Sequence, residues 1–120
     1  MRILLVDDND SNLSLLRILL ESEGHDILLA SNGEEALLRA RKPRPGMVIS
    51  DILMPIMDGY ALCRAWMKDA SLKAIPFVFY TATYRTEEDE ALARSVGAFE
   101  FLRKPLEPEV FLARVQEIIT

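Results

Sequence analysis

Five short apolar runs, each followed by a segment with helical spacing, constrain the fold of this chain more than any other feature. The runs are four or five residues long and rich in branched side chains, which is typical of strands buried on both faces. Strict alternation of strand and helix indicates a parallel sheet covered by helices on both sides. We therefore predict an α/β fold with a doubly wound, five-stranded parallel sheet. The predicted strands are residues 3–6, 27–30, 47–50, 77–81 and 99–102.

Residues suited to helix starts lie between these runs. Ser11 and Asn32 are candidate N-caps, and Thr86 followed by Asp89 predicts a capping box. Residues 87–90 are all acidic and would fall in a first helical turn, where the helix dipole favours negative charge. These four acids are therefore interpreted as helix initiation on a solvated face. Among the apolar residues, Trp66, Phe77, Phe79 and Tyr80 are predicted to lie in the core.

Composition excludes several classes of function. The chain has 120 residues, with 14 Lys and Arg against 19 Asp and Glu and a net charge of -5, which argues against direct nucleic-acid binding. No apolar run approaches the ~20 residues of a membrane helix, so we expect no membrane anchor. The single cysteine, Cys63, favours a reducing, cytoplasmic setting. We expect residues 1–120 to form one domain.

Three aspartates follow two of the predicted strands. Asp7 and Asp8 end the first strand, and Asp51 ends the third. In a doubly wound sheet of order 2-1-3-4-5, ligands bind beyond the carboxyl ends of the strands, where the strand order reverses between strands one and three. Three carboxylates meeting there would repel one another unless a cation joined them. Hard oxygen ligands of this kind suit Mg²⁺.

Two further side chains lie at the ends of the fourth and fifth predicted strands. Thr81 closes the fourth strand and Lys104 follows the fifth. A hydroxyl, an ammonium and a metal can together neutralise the oxygens of a transferring phosphoryl group, and a carboxylate among them can act as the nucleophile. Each residue alone has a structural explanation as a cap, strand or loop residue, but five such residues at four strand ends favour a site.

These motifs, in this order and spacing, resemble those of the receiver domain of bacterial two-component response regulators. The resemblance covers essentially the whole chain and implies a flavodoxin-like fold. It rests on residues 5–9 (LVDDN), 51–55 (DILMP), 57–59 (MDG), 81–82 (TA) and 104–105 (KP).

The resemblance implies that Asp51 is the phosphoacceptor and receives its phosphoryl group from a phosphohistidine on a histidine kinase or a histidine phosphotransfer protein. It also implies that Asp8, the Asp51 carboxylate and the Leu53 carbonyl bind Mg²⁺ directly, while Asp7 acts through bound water. The modified domain would then regulate an output domain in the same chain or in a partner protein.

The same resemblance implies roles for the other strand-end residues. Lys104 would pair with one phosphoryl oxygen, and Thr81 with the backbone N–H of Ala82 would bind the others. We expect the Lys104-Pro105 bond to be cis, because X-Pro bonds tolerate cis at little cost and receivers use that turn. Switching would couple Thr81 to Phe101, where relatives more often carry tyrosine, so a switch here would be steric.

Phe99 departs from the family pattern. Many DNA-binding relatives carry an acid at this position that joins salt bridges across a phosphorylation-linked dimer. Phe99 therefore argues against the shared form of that dimer. An exposed Phe99 would indicate a different apolar contact, and a buried one would be the plainer outcome.

Other functions compete with this interpretation. An aspartate-nucleophile phosphatase is one, because Asp8 and Asp10 have the spacing that such hydrolases use after strand one, although Asp51 and Lys104 would be partly unexplained. A receiver-like interaction module that is never phosphorylated is another, but the intact motifs argue against it. A flavodoxin-like cofactor carrier lacks its phosphate loop after strand one. For a receiver we expect at most slow self-dephosphorylation.

Overall fold

The computed structural model describes residues 1–83 and 86–120, in which five strands alternate with five helices. The strands are β1 Arg2–Val6, β2 Asp26–Ala30, β3 Met47–Ser50, β4 Phe77–Thr81 and β5 Glu100–Arg103. The helices are α1 Asp10–Ser22, α2 Gly33–Arg39, α3 Gly59–Lys68, α4 Glu87–Ser95 and α5 Pro108–Ile119.

The strands form one parallel sheet of order β2-β1-β3-β4-β5, which confirms the predicted fold. The register pairs Val6 with Ser50, so β1 and β3 end side by side. β5 begins and ends one residue later than predicted. As a consequence Phe99 precedes the strand and is 56% exposed, which is the exposed alternative of the two stated above.

Two apolar cores lie on the two faces of the sheet, because successive strand residues point to opposite sides. Phe77 and Phe79 enter the core beneath α2, α3 and α4, where Trp66 also lies. Tyr80 enters the core beneath α1 and α5. All four predicted core aromatics are buried, as expected. Cys63 is also buried, and this desolvation raises the pKa of its thiol to about 12, so it stays protonated and unreactive.

Helix starts follow the predicted caps with one exception. Asn32 caps α2, and Thr86 with Asp89 forms the capping box of α4. Ser11 is not a cap, so that prediction is wrong. Asn9 caps α1 instead, since its side chain accepts from the Asn12 N–H at 2.9 Å. Asn is as good a cap as Ser, and the geometry of the turn after β1 decides between them. Within the described part of the chain, none of the helices combines the length and apolarity needed to cross a membrane.

Candidate functional site

The candidate site lies where the strand order reverses, beside β1. Asp7 and Asp51 follow the paired ends of β1 and β3. Their backbones continue the sheet, because the Asp7 N–H donates to Ala30 O at 3.1 Å and the Asp51 N–H donates to Val6 O at 2.9 Å. The two aspartates are therefore held at fixed positions by main-chain hydrogen bonds, at the edge where doubly wound sheets bind ligands.

Lys104 joins these two carboxylates. Its ammonium lies 2.9 Å from Asp7 Oδ2 and 3.4 Å from Asp51 Oδ2. The three side chains are 14% exposed for Lys104, 5% for Asp7 and 15% for Asp51. Burial alone would lower the pKa of Lys104, but the hydrogen bond to Asp7 and the charge of Asp51 outweigh it, so the net pKa is raised. Lys104 therefore stays protonated, and its ammonium lies between the Asp7 and Asp51 side chains.

The loop after β5 delivers this lysine. The Lys104 N–H donates to Thr81 O at 2.9 Å, which fixes the start of the loop against β4. The Lys104-Pro105 bond is cis, as predicted. The carboxylate repulsion that the sequence predicted is thus offset within the protein by Lys104, a partner that the sequence argument had assigned only to phosphate.

Tyr80 supports Lys104 in a way that the sequence did not reveal. Its ring centroid lies 5.3 Å from the Lys104 ammonium, within the range of a cation–π contact. Its hydroxyl accepts from the Leu106 N–H at 3.1 Å, two residues beyond the lysine. As an aromatic residue Tyr80 was predicted to lie in the core, and no local signal shows that its polar end reaches the loop after β5.

Backbone and amide donors fix the carboxylate oxygens. Asp7 Oδ1 accepts from the Asn9 N–H at 3.0 Å, and Asp7 Oδ2 also faces the Asn12 side-chain amide at 3.4 Å. Asp51 Oδ1 accepts from the Ile52 N–H at 2.7 Å. Asp51 Oδ2 is the oxygen that faces Lys104. Asn12 was also missed by sequence reasoning, although its place in the first turn of the helix after Asp7 is a usable signal.

The start of α3 packs directly on the backbone of Asp51. A Cβ on Gly59 would lie 2.3 Å from Asp51 O and 2.8 Å from Ile52 Cα, and the Gly59 N–H donates to Ile52 O at 2.7 Å. Only glycine permits this approach. Within the same loop Ile56 has φ 69° and is 77% exposed, an unfavourable backbone conformation for a β-branched residue.

The other predicted site residues occupy the rim or the interior. Asp8, Leu53 and Ala82 are exposed. Thr81 is fully buried, and its Oγ1 accepts from the Thr83 N–H at 3.3 Å. In residues 1–83 and 86–120 no three His, Cys, Asp or Glu side chains are grouped to hold one metal ion. The structure thus brings Asp7, Asp51 and Lys104 together, with Asp8 beside them in sequence.

Phe101, the predicted switch residue, is buried at 5% exposure. Its ring packs edge-on against Phe79, with 6.4 Å between ring centroids. It lies in the core beneath α2, α3 and α4, two positions before the end of β5.

Comparison with known proteins identifies the family. The family model described as "Response regulator receiver domain" matches residues 3–116. This chain belongs to the response regulator receiver domain family. Receiver domains are the phosphoacceptor signalling domains of two-component systems. They interact with histidine kinases and output domains, and they typically bind Mg²⁺.

Individual relatives agree with this assignment. Protein PilH of Pseudomonas aeruginosa is 36% identical over 118 residues, which cover 98% of this chain and 97% of PilH. The Bacillus subtilis alkaline phosphatase synthesis transcriptional regulatory protein PhoP is 35% identical over 98% of this chain, which spans 48% of PhoP. The solved structure of Vibrio cholerae chemotaxis response regulator CheY4 has a TM-score of 0.91 at 32% identity, covering 98% of this chain and 97% of CheY4.

Proposed function

We propose that Asp51 of this receiver domain accepts a phosphoryl group from a phosphohistidine on a histidine kinase or histidine phosphotransfer protein. One observation carries the proposal: the Asp51 carboxylate follows β3 beside Asp7 and shares the Lys104 ammonium with it. A carboxylate held next to a cation, and still 15% exposed, is positioned to act as a nucleophile on an incoming phosphorus.

In the proposed reaction an oxygen of the Asp51 carboxylate attacks phosphorus. The new P–O bond forms while the P–N bond to the donor imidazole breaks, and the imidazole leaves with the electron pair. During this exchange Lys104 offsets the charge on a phosphoryl oxygen, which lowers the energy of the charged transition state. We assign the remaining oxygens to the Thr81 hydroxyl and the Ala82 N–H. Thr81 ends β4, and its Oγ1 accepts from the Thr83 N–H in the turn that follows.

Asp7 and Asp51 supply carboxylate oxygens of the kind that Mg²⁺ prefers. Asp7 Oδ2 and Asp51 Oδ2 both face one cationic nitrogen, so two hard oxygen ligands converge on one region that keeps an excess negative charge. We propose that Asp8, Asp51 and the Leu53 carbonyl hold the ion and that Asp7 acts through bound water. When bound, Mg²⁺ offsets the negative charge of the phosphoryl oxygens.

We further propose that phosphorylation is read out through Thr81 and Phe101 to an output domain or a partner protein. The burial of Phe101 against Phe79 supports a steric switch, in which the phenyl ring fills or leaves the space behind Thr81. Residues 1–120 would form one receiver unit. Leu53 and Thr83 offer no strong general base, so slow self-dephosphorylation is part of the proposal.

The test is incubation of the chain with Mg²⁺ and a small phosphodonor such as phosphoramidate. We expect hydroxylamine-labile phosphate on the wild type and on Asp69→Asn, a matched control at the opposite end of the sheet, and none on Asp51→Asn. Phosphate retained by Asp51→Asn would contradict the assignment. Turnover of a phosphomonoester that depends on Asp8 would support the phosphatase alternative instead.

A further inference from the structure

The amino end of the sheet, opposite Asp51, carries a concentration of positive charge. Two connections enter the strands there, residues 40–46 before β3 and residues 68–76 beginning at the last residue of α3 and leading to β4. Together they contain five bases and one acid, a net charge of +4 in a chain of net charge -5. We name the basic rim as the exposed residues Arg2, Lys42, Arg44, Lys68 and Lys73.

Two arginines of the basic rim are oriented by neutral hydrogen-bond acceptors. In the described part of the chain none of these five residues forms an ion pair with a carboxylate. Arg44 Nη1 donates to Ser71 O at 3.1 Å, and Arg2 Nη1 donates to Arg44 O at 3.2 Å. Both acceptors are neutral carbonyls, so each guanidinium is oriented while its charge and remaining donors stay available.

An apolar floor lies between these bases. Arg2 and Arg44 border a groove floored by Pro45, Ile75 and Pro76. A second groove shares Ile75 and Pro76 and continues past Lys73 to Phe99. Phe99 is 56% exposed and lines the second groove together with Ile75 and Pro76, so the apolar surface here is contiguous and not a single exposed residue. The amino end therefore combines basic edges with an apolar base.

We propose that this amino-end groove binds an acidic segment of a partner polypeptide that also carries apolar side chains. Carboxylates would pair with the free guanidinium donors of Arg2 and Arg44, whose planar shape matches them. Apolar side chains of the segment would cover the groove floor and Phe99. Duplex nucleic acid fits less well, because its outer surface is a phosphate backbone and offers no apolar side chains to cover the groove floor.

This surface is separate from the phosphoacceptor site. The rim lies where β1, β3 and β4 begin, and Asp51 lies where β3 ends. Binding at the rim is therefore expected to be independent of phosphoryl transfer. Failure of the proposed phosphoacceptor role would leave this inference untouched, and the reverse also holds.

The experiment titrates the full chain into a short fluorescent peptide of alternating Glu and Leu at low salt and follows anisotropy. We expect saturable binding that weakens roughly tenfold in Arg44→Glu and in Lys73→Glu. Arg64→Glu, which makes the same charge change at an exposed position of α3 outside the grooves, is expected to bind like the wild type. Phe99→Ser should weaken binding, whereas Leu38→Ser, at another exposed apolar residue, should not. Lys73→Glu removes no hydrogen bond seen in the structure, so it keeps the test valid if Arg44→Glu folds poorly.

Several results would overturn the inference. An equal loss of peptide affinity in Arg44→Glu and Arg64→Glu would mean that only the net charge of the chain matters. Equal binding of a Gln–Leu peptide would remove the role of the bases. Tighter, rim-dependent binding of mixed-sequence duplex DNA would assign the surface to nucleic acid. Loss of peptide binding in Asp51→Asn would place the peptide-binding site at the carboxyl end of the sheet.

Discussion

Two clusters of aspartate and basic side chains lie at opposite ends of the sheet and differ in burial and in charge balance. At the carboxyl end, Asp7 and Asp51 share the largely buried Lys104. At the amino end, Asp69 pairs with Arg41, whose side chain is 54% exposed. The first cluster has an excess carboxylate, and the second is balanced.

The amino-end cluster is satisfied locally. Asp69 Oδ1 accepts from the Ser71 hydroxyl at 2.7 Å and from the Ser71 N–H at 2.8 Å. The Ser71 side-chain and backbone hydrogen bonds, and then Arg41, lower the pKa of Asp69 from 3.8 to about 2. Among the described residues, the Asp51 carboxylate instead accepts from the neighbouring Ile52 N–H and from Lys104, which lies far away along the chain. A carboxylate with its donors in place stabilises a turn, and one that shares its cation remains available for a ligand.

Replacing the cation at each end of the sheet should give the largest difference in stability between the two clusters. Lys104→Met leaves two partly buried carboxylates without a counter-charge, so we expect the free energy of unfolding in EDTA to fall by about 3 kcal/mol. Arg41→Met should cost clearly less, because exposed pairs contribute little. Urea unfolding of both variants measures the difference, and Mg²⁺ should recover part of the Lys104→Met loss. Equal losses would contradict the distinction.

Reactivity at the carboxyl end should depend on exposed side chains near Asp51. Leu53 is 55% exposed and carries no group that orients water. Leu53→Asn, like Thr83→Glu, is expected to accelerate phosphate loss from the domain ~10-fold, equivalent to ~1.4 kcal/mol in the barrier. Leu38→Asn is the control on α2. Single-exponential loss of phosphate at saturating Mg²⁺ measures the rates, and an unchanged rate in both site variants would remove any role for these positions.

Replacing aspartate by asparagine should change the stability of the fold in opposite directions at the two ends of the sheet. Asp7→Asn removes the excess charge while its amide oxygen can still accept from Asn9, so we expect apo stability to rise by about 1 kcal/mol. Wild type should gain melting temperature in Mg²⁺, since the ion binds only the folded state, and Asp7→Asn should gain less. Identical responses of the two proteins to Mg²⁺ would refute the argument.

Asp69→Asn should destabilise the fold only at pH values at which Asp69 is ionised in the folded protein. Its folded pKa of about 2 lies below its ordinary value of 3.8. The stabilisation is therefore complete above pH 4 and is lost as the pH falls from 4 through about 2. Urea midpoints of wild type and Asp69→Asn at pH 7, 4 and 3 should show a difference that narrows only below pH 4. A constant difference would mean that the charge of Asp69 contributes nothing.

The sequence by itself determined the elements and the location of the acids. Alternating apolar runs and helical spacing are local signals, so the strands were correct to within one residue and Asp7, Asp51, Thr81 and Lys104 were assigned to strand ends. Local signals were weaker where several residues suit one task. Residues 7–11 all have side chains that can cap a helix, and only the turn after β1 selects Asn9.

The tertiary structure decided which strand ends act together. Lys104 is separated from Asp7 by 97 positions, and its reach to two carboxylates depends on the strand order and on the support of Tyr80. The exposure of Phe99 follows from β5 beginning one residue later than its apolar run. The basic rim likewise exists only because residues 40–46 and 68–76 enter neighbouring strands. Such contacts depend on packing among distant segments, which spacing along the chain does not encode.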